Sequence, residues 1–184
     1  MSDSSEVSGQ QETAVRNDSA AEPSGWRWLP LTLFVIVLDQ AVKAFVVQHL
    51  YPYEPVHVLP VLNFTLMYNT GAAFSFLSDA SGWQRWLFVA LALGVGVAII
   101  AWLRKLKART NALLACSLAL ILGGAIGNVI DRLRIGHVVD FIHAHWNDSY
   151  FPAFNVADSA ISIGAALLLL DAWRESRSAK RAGA

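Results

Sequence analysis

Two aspartates, Asp140 and Asp158, stand in the segments GHVVDFI and FNVADS, with no basic residue next to either. Two carboxyl groups held at short range cannot both ionise, so one keeps a proton while the other acts as a base toward water. Water activated in this way can attack a peptide carbonyl while the protonated acid donates to the carbonyl oxygen. Two such carboxyl groups, if they converge, are able to hydrolyse a peptide bond without a covalent intermediate.

Each aspartate also has an interpretation without chemistry. Asn155 followed by Asp158 is typical of a helix start, where Asn155 caps the first turn and the acid favours its positive end. Asp140 alone fits a solvated loop carboxylate. The chain offers several asparagines that could orient two converging carboxylates, which is a rarer arrangement: Asn63, Asn69, Asn128 and Asn155.

Other polar residues interrupt apolar segments. Asp39 and Lys43 are four residues apart, so on a helix they share a face and can neutralise each other. Asn128 and Asp131 are three residues apart, and Arg132 follows them. An ionisable group at the centre of a membrane costs about 2.5 kcal/mol or more, so each needs a partner or a task. For Asp39 and Lys43 an ion pair that fixes packing is favoured over a chemical role, and for Asn128, Asp131 and Arg132 a hydrogen-bonded helix end with an acid–base pair is favoured over catalysis.

The elements that position these residues follow from composition. The chain has 184 residues, of which 55% are hydrophobic and 15% charged, whereas a soluble domain has about 25% charged residues. Hydrophobicity is concentrated in four blocks near 28–47, 86–103, 111–130 and 155–170. Each approaches the roughly 20 residues that a helix needs to cross a bilayer. The second block has no polar face, so the sequence predicts a four-helix membrane bundle.

Basic residues set the predicted orientation. They crowd the short link between the second and third blocks and both ends of the apolar region, at Arg16, Arg27, Arg104, Lys105, Lys107, Arg109, Arg174, Arg177, Lys180 and Arg181. Because cytoplasmic loops carry the excess of Lys and Arg, both termini should be cytoplasmic. The long connections 49–82 and 131–154, and with them the aspartates, should lie at the outer face.

The remaining segments divide the chain further. The composition predicts a disordered acidic cytoplasmic tail at residues 1–25. It predicts the membrane domain at 26–174 and a basic cytoplasmic tail at 175–184. In the first outer connection, alternating residues up to the turn at Asn69 and Gly71 favour a small sheet at the membrane surface. The stretch through Phe76 and Leu77 could instead form a short interfacial helix. The net charge of zero argues against a nucleic-acid partner.

Five motifs together resemble the bacterial lipoprotein signal peptidases, or signal peptidase II: LDQAVK at 38–43, YNTGAAFSF at 68–76, GGAIGNVIDR at 123–132, GHVVDF at 136–141 and FPAFNVADS at 151–159. The resemblance covers about residues 28–173. It implies an all-α membrane protein, a four-transmembrane-helix bundle with a small extracytoplasmic β-sheet, or cradle, and a short interfacial helix. It also implies an aspartic endopeptidase of the bacterial inner membrane that needs no cofactor or metal.

The resemblance further implies partners and site residues. The substrates would be prolipoproteins, cut just before a cysteine that carries diacylglycerol, and the partners would include membrane lipid and a cyclic lipopeptide inhibitor of the globomycin type. Asp140 and Asp158 match the catalytic positions. The positions that bind substrate or support the site fall on Asp39, Lys43, Asn69, Gly71, Asn128, Asp131, Arg132 and Asn155.

Three other functions are open to the sequence. His137, Asp140, His143 and His145 are close enough to suggest a zinc hydrolase, although no His-Glu-x-x-His motif occurs. A serine protease would use Ser75 or Ser159, without a Gly-x-Ser-x-Gly elbow. The non-enzymatic alternative is a small proton- or ion-coupled transporter in which Asp39, Lys43, Asp131 and Asp158 form a relay. A passive helical bundle would leave the paired aspartates unexplained.

Overall fold

A computed structural model describes residues 22–71 and 82–182. A short 3-10 helix, Gly25–Trp28, leads into α1 (Leu29–His49), and α2 (Trp83–Lys105), α3 (Ala112–Ile135) and α4 (Val156–Ala182) follow. Four helical segments of the described chain are long and apolar enough to span a membrane, which confirms the predicted bundle. α3 runs five residues past its apolar block, so Asp131 and Arg132 are helical, and α4 continues through most of the predicted basic tail.

The bundle is built around α3, which contacts α1, α2 and α4. Its inward face carries small residues: a Cβ at Gly124 would collide with the carbonyl oxygen of Ala157, and one at Gly123 would lie 2.8 Å from Val35 Cβ. Small residues let membrane helices approach closely. Large apolar side chains on the outer helices point away from the bundle instead, as Val97 and Leu33 do. Such a surface suits hydrocarbon and not water.

The sheet contains β1 (Pro55–Leu59), β2 (Leu62–Asn69), β3 (Val138–Trp146) and β4 (Ser149–Tyr150). The strands pair antiparallel in the order β1-β2-β3-β4, which confirms the predicted small sheet. β3 begins just after α3, because Gly136 adopts a φ of 87° and ends the helix. Val46 of α1 packs with Leu66, Val139 and Phe141 of the sheet. The sheet is therefore anchored on the end of the bundle opposite to the link between α2 and α3.

At the other end of the bundle, the described chain begins with a segment that crosses this link. The Glu22 carboxylate accepts hydrogen bonds from Arg109 N and Thr110 N, and the Pro23 carbonyl accepts one from Ala108 N at 2.8 Å. Hydrogen bonds from Thr110 lower the pKa of Glu22. Within the predicted acidic tail, residues 22–25 thus have defined contacts. The remainder of that tail and the predicted interfacial helix at Phe76 and Leu77 lie outside the described residues.

Candidate active site

Asp140 is a buried carboxylate on β3, directly opposite Met67 of β2. Two asparagines hold it. Asn69 Nδ2 donates to Asp140 Oδ2 at 3.0 Å, and Asn155 Nδ2 donates to Oδ1 at 2.7 Å. Since Asn69 is the last residue of β2 and Asn155 precedes α4, the carboxylate is positioned by the sheet and the bundle together.

Asp158 lies in the first turn of α4, where it forms a reciprocal capping pair with Asn155. The backbone N–H of Asp158 donates to Asn155 Oδ1 at 2.9 Å, and the backbone N–H of Asn155 donates to Asp158 Oδ2 at 3.2 Å. This is a capping box, which satisfies two backbone donors at a helix start. The predicted cap is confirmed. It leaves Asp158 Oδ1 for a second partner, Asn128 Nδ2, at 2.7 Å.

Asn155 is therefore the residue that joins the two aspartates. Its side chain is fully buried, and Nδ2 also lies 3.2 Å from Val139 O and 3.2 Å from Asn128 Oδ1. One buried amide thus contacts Asp140 through its nitrogen and Asp158 through its oxygen. The two carboxyl groups thus share one partner residue, because Asp140 accepts from the Asn155 side chain and Asp158 accepts from the Asn155 backbone N–H.

The surroundings of Asp140 favour its neutral form. Burial is the main factor that raises its pKa, and the negative charge of Asp158 adds to it, while the hydrogen bonds from Asn69 and Asn155 act in the opposite direction. The result is a pKa of about 6 instead of 3.8. A carboxyl group with such a pKa can hold a proton near neutral pH, which is the requirement for a general acid.

A buried ion cluster lies beside the aspartates. Lys43 Nζ contacts Asp39 Oδ2 and Asp131 Oδ2, both at 2.8 Å, which confirms the predicted pairing with Asp39. Nζ also donates to Asn128 Oδ1 at 3.0 Å, so the amide that reaches Asp158 is oriented by the lysine. Buried charges persist only where partners compensate their desolvation. Two carboxylates and an amide provide that compensation here.

Arg132 does not form the acid–base pair with Asp131 that the sequence suggested. Asp131 faces α1, where it meets Lys43, because the two residues lie on different sides of α3. The Arg132 guanidinium lies 5.0 Å from the centroid of the Phe88 ring and interacts electrostatically with Asp158 and Asp140. Arg132 is thus a cation that acts electrostatically on both carboxylates, and Lys43 is a second one that acts on Asp140.

Gly71 closes the site at the end of β2. Its backbone N–H donates to Asn69 Oδ1 at 2.8 Å, which turns the amide so that its nitrogen faces Asp140. Gly71 has a φ of +100°, and a Cβ there would lie 2.6 Å from the Phe88 ring. Both the backbone conformation and the close ring require glycine.

Sequence reasoning missed two contributors, Gln40 and Phe88. Gln40 Nε2 donates to Asp131 Oδ1 at 2.9 Å and to Gly127 O at 3.2 Å; as a polar residue next to Asp39 inside an apolar block, it carried a signal. Phe88 is one apolar residue among many in α2, and the sequence contains no signal for its contact with Gly71. Asn63, by contrast, lies away from the carboxylates and pairs with His57 Nδ1 at 2.8 Å.

The histidines and serines considered for a zinc hydrolase or a serine protease make other contacts. The ring of His137 lies 4.6 Å from that of Tyr68, and the rings of His143 and His145 lie 4.7 and 5.0 Å from that of Tyr150. Within residues 22–71 and 82–182, no three His, Cys, Asp or Glu side chains are grouped to hold a metal ion. Ser159 Oγ donates to Asn155 O at 2.9 Å, and Ser75 lies outside the described residues.

Four apolar helices of span length with a small antiparallel sheet at one end define a polytopic membrane protein. The comparisons with known proteins specify it further. The family model for signal peptidase (SPase) II matches residues 31–174. The chain belongs to the signal peptidase II family and is therefore a protease, not the carrier that the sequence left open.

Similar proteins and similar solved structures support the assignment of the chain to this family. The lipoprotein signal peptidase of Pseudomonas aeruginosa PAO1 is 54% identical over 157 residues, which cover 84% of this chain and 92% of that protein. The Pseudomonas putida KT2440 protein of the same name is 51% identical over 164 residues, covering 88% and 95%. A bacterial membrane enzyme solved by the in meso method at 2.3 Å is 29% identical, with a TM-score of 0.71, and covers 82% of this chain and 89% of that one.

Proposed function

We propose that this protein is an aspartic endopeptidase that removes signal peptides from prolipoproteins, with Asp140 and Asp158 as the catalytic residues. The observation that carries the proposal is the single amide of Asn155, which contacts Asp140 and caps the turn that holds Asp158. Paired carboxyl groups with different surroundings are the arrangement that divides acid and base roles between two residues.

The roles follow from the contacts. Asp140, whose pKa is raised to about 6 mainly by burial, holds the shared proton, and Asp158 acts as the base. Asp158 takes a proton from water as the water oxygen bonds to the peptide carbonyl carbon, while Asp140 donates its proton to the carbonyl oxygen. In the second step the carbon–nitrogen bond breaks, the leaving nitrogen takes the proton from Asp158, and Asp140 regains its own from the hydroxyl. Because the charges are coupled, the titration belongs to the pair.

The surrounding residues support this chemistry without taking part in proton transfer. Lys43 orients Asn128, which donates to Asp158, and Asp131 accepts from the Val139 backbone N–H at 3.1 Å, one residue before Asp140. Arg132 places a positive charge near both carboxylates. Preorganised groups of this kind stabilise developing charge better than mobile water does.

The position of the site fits a substrate that is partly in the membrane. The carboxylates lie where α3 and α4 meet the sheet, at the boundary between the apolar bundle and the outer connections. A signal peptide and the acyl chains of a diacylglyceryl-modified cysteine lie in lipid, whereas hydrolysis needs water. A site at this boundary is accessible both to the lipid-embedded substrate and to water. The lysines and arginines of the opposite end support an inner-membrane topology with both termini cytoplasmic.

A cyclic lipopeptide of the globomycin type would bind the same place. Its acyl chain and peptide ring present the same combination of lipid and backbone amides as the substrate. We therefore expect competitive inhibition, measured as a rise in KM for the lipidated substrate at constant kcat.

The experiment that tests the function uses purified full-length protein and a diacylglyceryl-modified prolipoprotein. Wild-type protein should release the signal peptide, while Asp140→Asn and Asp158→Asn should fold and lose at least about 10³-fold in kcat. Asp148→Asn is the matched control, because Asp148 is an exposed aspartate in the turn between β3 and β4. The unlipidated precursor should stay uncut. Near-normal cleavage by either dyad variant would refute the assignment.

A further inference from the structure

The C-terminal end of α4 is a cationic helix surface that projects past the bundle. α4 runs for 27 residues from Val156 to Ala182, which corresponds to about 40 Å, whereas the hydrocarbon of a bilayer is about 30 Å thick. Residues 172–181 are all exposed. The last turns of α4 therefore extend beyond the apolar part of the span, at the end of the bundle opposite to the sheet.

Three arginines share one face of this helix end with a tryptophan and a serine. An open cavity of about 380 Å³ lies among these side chains, which are Trp173, Arg174, Arg177, Ser178 and Arg181. Positions three, four and seven residues after Arg174 lie on the same side of a helix as Arg174 itself. The Arg177 guanidinium lies 4.8 Å from the centroid of the Trp173 ring, so the ring helps to hold that charge in place. The face thus presents three cations around one space.

The arginines have no anionic partner in the part of the chain that the structure describes. Both ion pairs of residues 22–71 and 82–182 belong to Lys43. Arg174 and Arg177 are three residues apart, and Arg177 and Arg181 are four apart. Like charges at these spacings destabilise a helix. An anion bound between the guanidinium groups would replace this repulsion with attraction.

The helix macrodipole explains only part of this pattern. Cations stabilise the last turn of a helix, and the effect falls off within that turn. Arg181 lies in the last turn of α4, but Arg174 and Arg177 lie before it. Glu175 faces neither of them, because residues one and two apart do not face each other on a helix. Asp171, one turn before Arg174, forms no ion pair with it in the structure.

The surroundings of the arginines identify the anion. Indole rings are enriched at the boundary between hydrocarbon and headgroups, and Trp173 is 54% exposed. Leu169, one turn nearer the bundle, is 71% exposed, so the face continues into the apolar part of the span. Arginine binds phosphate oxygens through two parallel N–H groups. A phosphate attached to acyl chains therefore fits both parts of this face.

We propose that this face of α4 binds the phosphodiester headgroup of an anionic phospholipid, with an acyl chain against Trp173 and Leu169. The inference is independent of the proposed peptidase function. Arg174, Arg177 and Arg181 contact the phosphate oxygens, and the Ser178 hydroxyl donates to the same group. Basic clusters that directly follow a membrane span attract anionic lipids in this way.

The test titrates purified full-length protein in an uncharged detergent with phosphatidylglycerol or phosphatidylcholine of identical acyl chains, and measures bound lipid by native mass spectrometry. An uncharged micelle has no anionic surface, so the difference reports contacts with individual lipids. We expect phosphatidylglycerol to bind at least about tenfold more tightly. Arg174→Gln, Arg177→Gln and Arg181→Gln combined should reduce this preference to within about twofold.

A matched control removes three exposed cations from the link between α2 and α3 at the same end of the bundle. Arg104→Gln, Lys105→Gln and Lys107→Gln combined change the net charge by the same amount and should keep the preference for phosphatidylglycerol. Equal losses in the two combined variants would indicate general attraction by basic residues and would overturn the site on α4. Equal affinities of wild-type protein for the two lipids would overturn it as well.

Two further arms exclude other anions. Displacement of phosphatidylglycerol by millimolar inorganic phosphate would assign the face to free phosphate and refute a lipid site. A preference that appears only after removal of residues 2–21, which include four acidic residues, would assign the face to that segment instead. If the combined α4 variant does not fold, Arg177→Gln alone decides the question. A loss of at least about threefold in the preference supports the site, and full retention refutes it.

Discussion

Asn155 Nδ2 donates to Asp140 Oδ1 over 2.7 Å, and this bond joins the first residue before α4 to the middle of the sheet. The same side chain accepts from the backbone N–H of Asp158 through its oxygen. An amide carries both a donor and an acceptor, so Asn155 donates to Asp140 and accepts at the start of α4 simultaneously.

Replacement of Asn155 by Asp should therefore separate folding from activity. The new carboxylate can still accept from the Asp158 N–H, so α4 keeps its cap, but it cannot donate to Asp140 and adds a negative charge beside it. We expect kcat to fall by at least about 10²-fold while the helix content by circular dichroism is retained. Asn147→Asp, in the exposed β3–β4 turn, is the control. Wild-type kcat in Asn155→Asp would contradict the role assigned to this amide.

The raised pKa of Asp140 predicts how stability depends on pH. Burial keeps the folded-state pKa at about 6, above the ordinary 3.8, so the folded protein binds more protons than the unfolded one between these values. The stability from the protonated carboxyl group is fully present below about pH 3.8 and is lost as pH rises through 6. Asp140→Asn removes this titration. Its free energy of unfolding, relative to wild type, should rise by about 1–3 kcal/mol from pH 4 to pH 8.

Chemical unfolding in detergent across that pH range measures the difference. Asp148→Asn, which alters an exposed carboxyl group, should show no such trend. The same titration should appear in activity, as a basic limb of kcat/KM near pH 6 that belongs to the dyad. A flat stability difference for Asp140→Asn would contradict the raised pKa.

The cluster of Lys43 with Asp39 and Asp131 predicts strong coupling between α1 and α3. Lys43→Met leaves the two buried carboxylates of Asp39 and Asp131 without the cation between them and should lower the free energy of unfolding by about 3–5 kcal/mol. Asp39→Asn and Asp131→Asn added to Lys43→Met remove those charges and should restore part of the loss. The exposed Lys107→Met is the control. Additive effects in the combined variant would show that the three groups do not act as a unit.

Gly71 and Gly82 allow the contribution of a close contact to be separated from that of backbone strain. Both have a positive φ, of +100° and +85°, but a Cβ at Gly71 meets the Phe88 ring at 2.6 Å, whereas a Cβ at Gly82 meets nothing within 4 Å. Gly71→Ala should therefore reduce kcat/KM by at least about tenfold, and Gly82→Ala should change it much less. Phe88→Leu in the Gly71→Ala background should recover part of the activity. Equal effects of the two glycine replacements would rule out the contact as the cause.

Much of this architecture could be predicted from the sequence because its signals are local. Uninterrupted apolar blocks predict spans, and the spacing of Asn155 and Asp158 predicts a capped helix start that the structure contains. The pairing of Asp39 with Lys43 follows from one turn of helix. The outward position of Asp140 and Asp158 and the disordered tail stay predictions.

The rest depends on how the helices are rotated against one another, which no local pattern states. The sequence suggested Arg132 as the partner of Asp131, yet the rotation of α3 turns Asp131 to Lys43 and Arg132 to Phe88. The role of Gln40 depends on the same rotation, since it reaches Asp131 across the α1–α3 interface. Likewise, the strand order determines that Met67 faces Asp140.

The capping box of α4 makes the proposed base part of a helix end. Fraying of that first turn would withdraw Asp158 from its partner while the remainder of the chain stayed native, so catalytic competence and local helix melting share one equilibrium. The amide hydrogen exchange rate in the first turn of α4 should then measure the fraction of active molecules. On heating, activity should be lost at a temperature below that at which the whole protein unfolds.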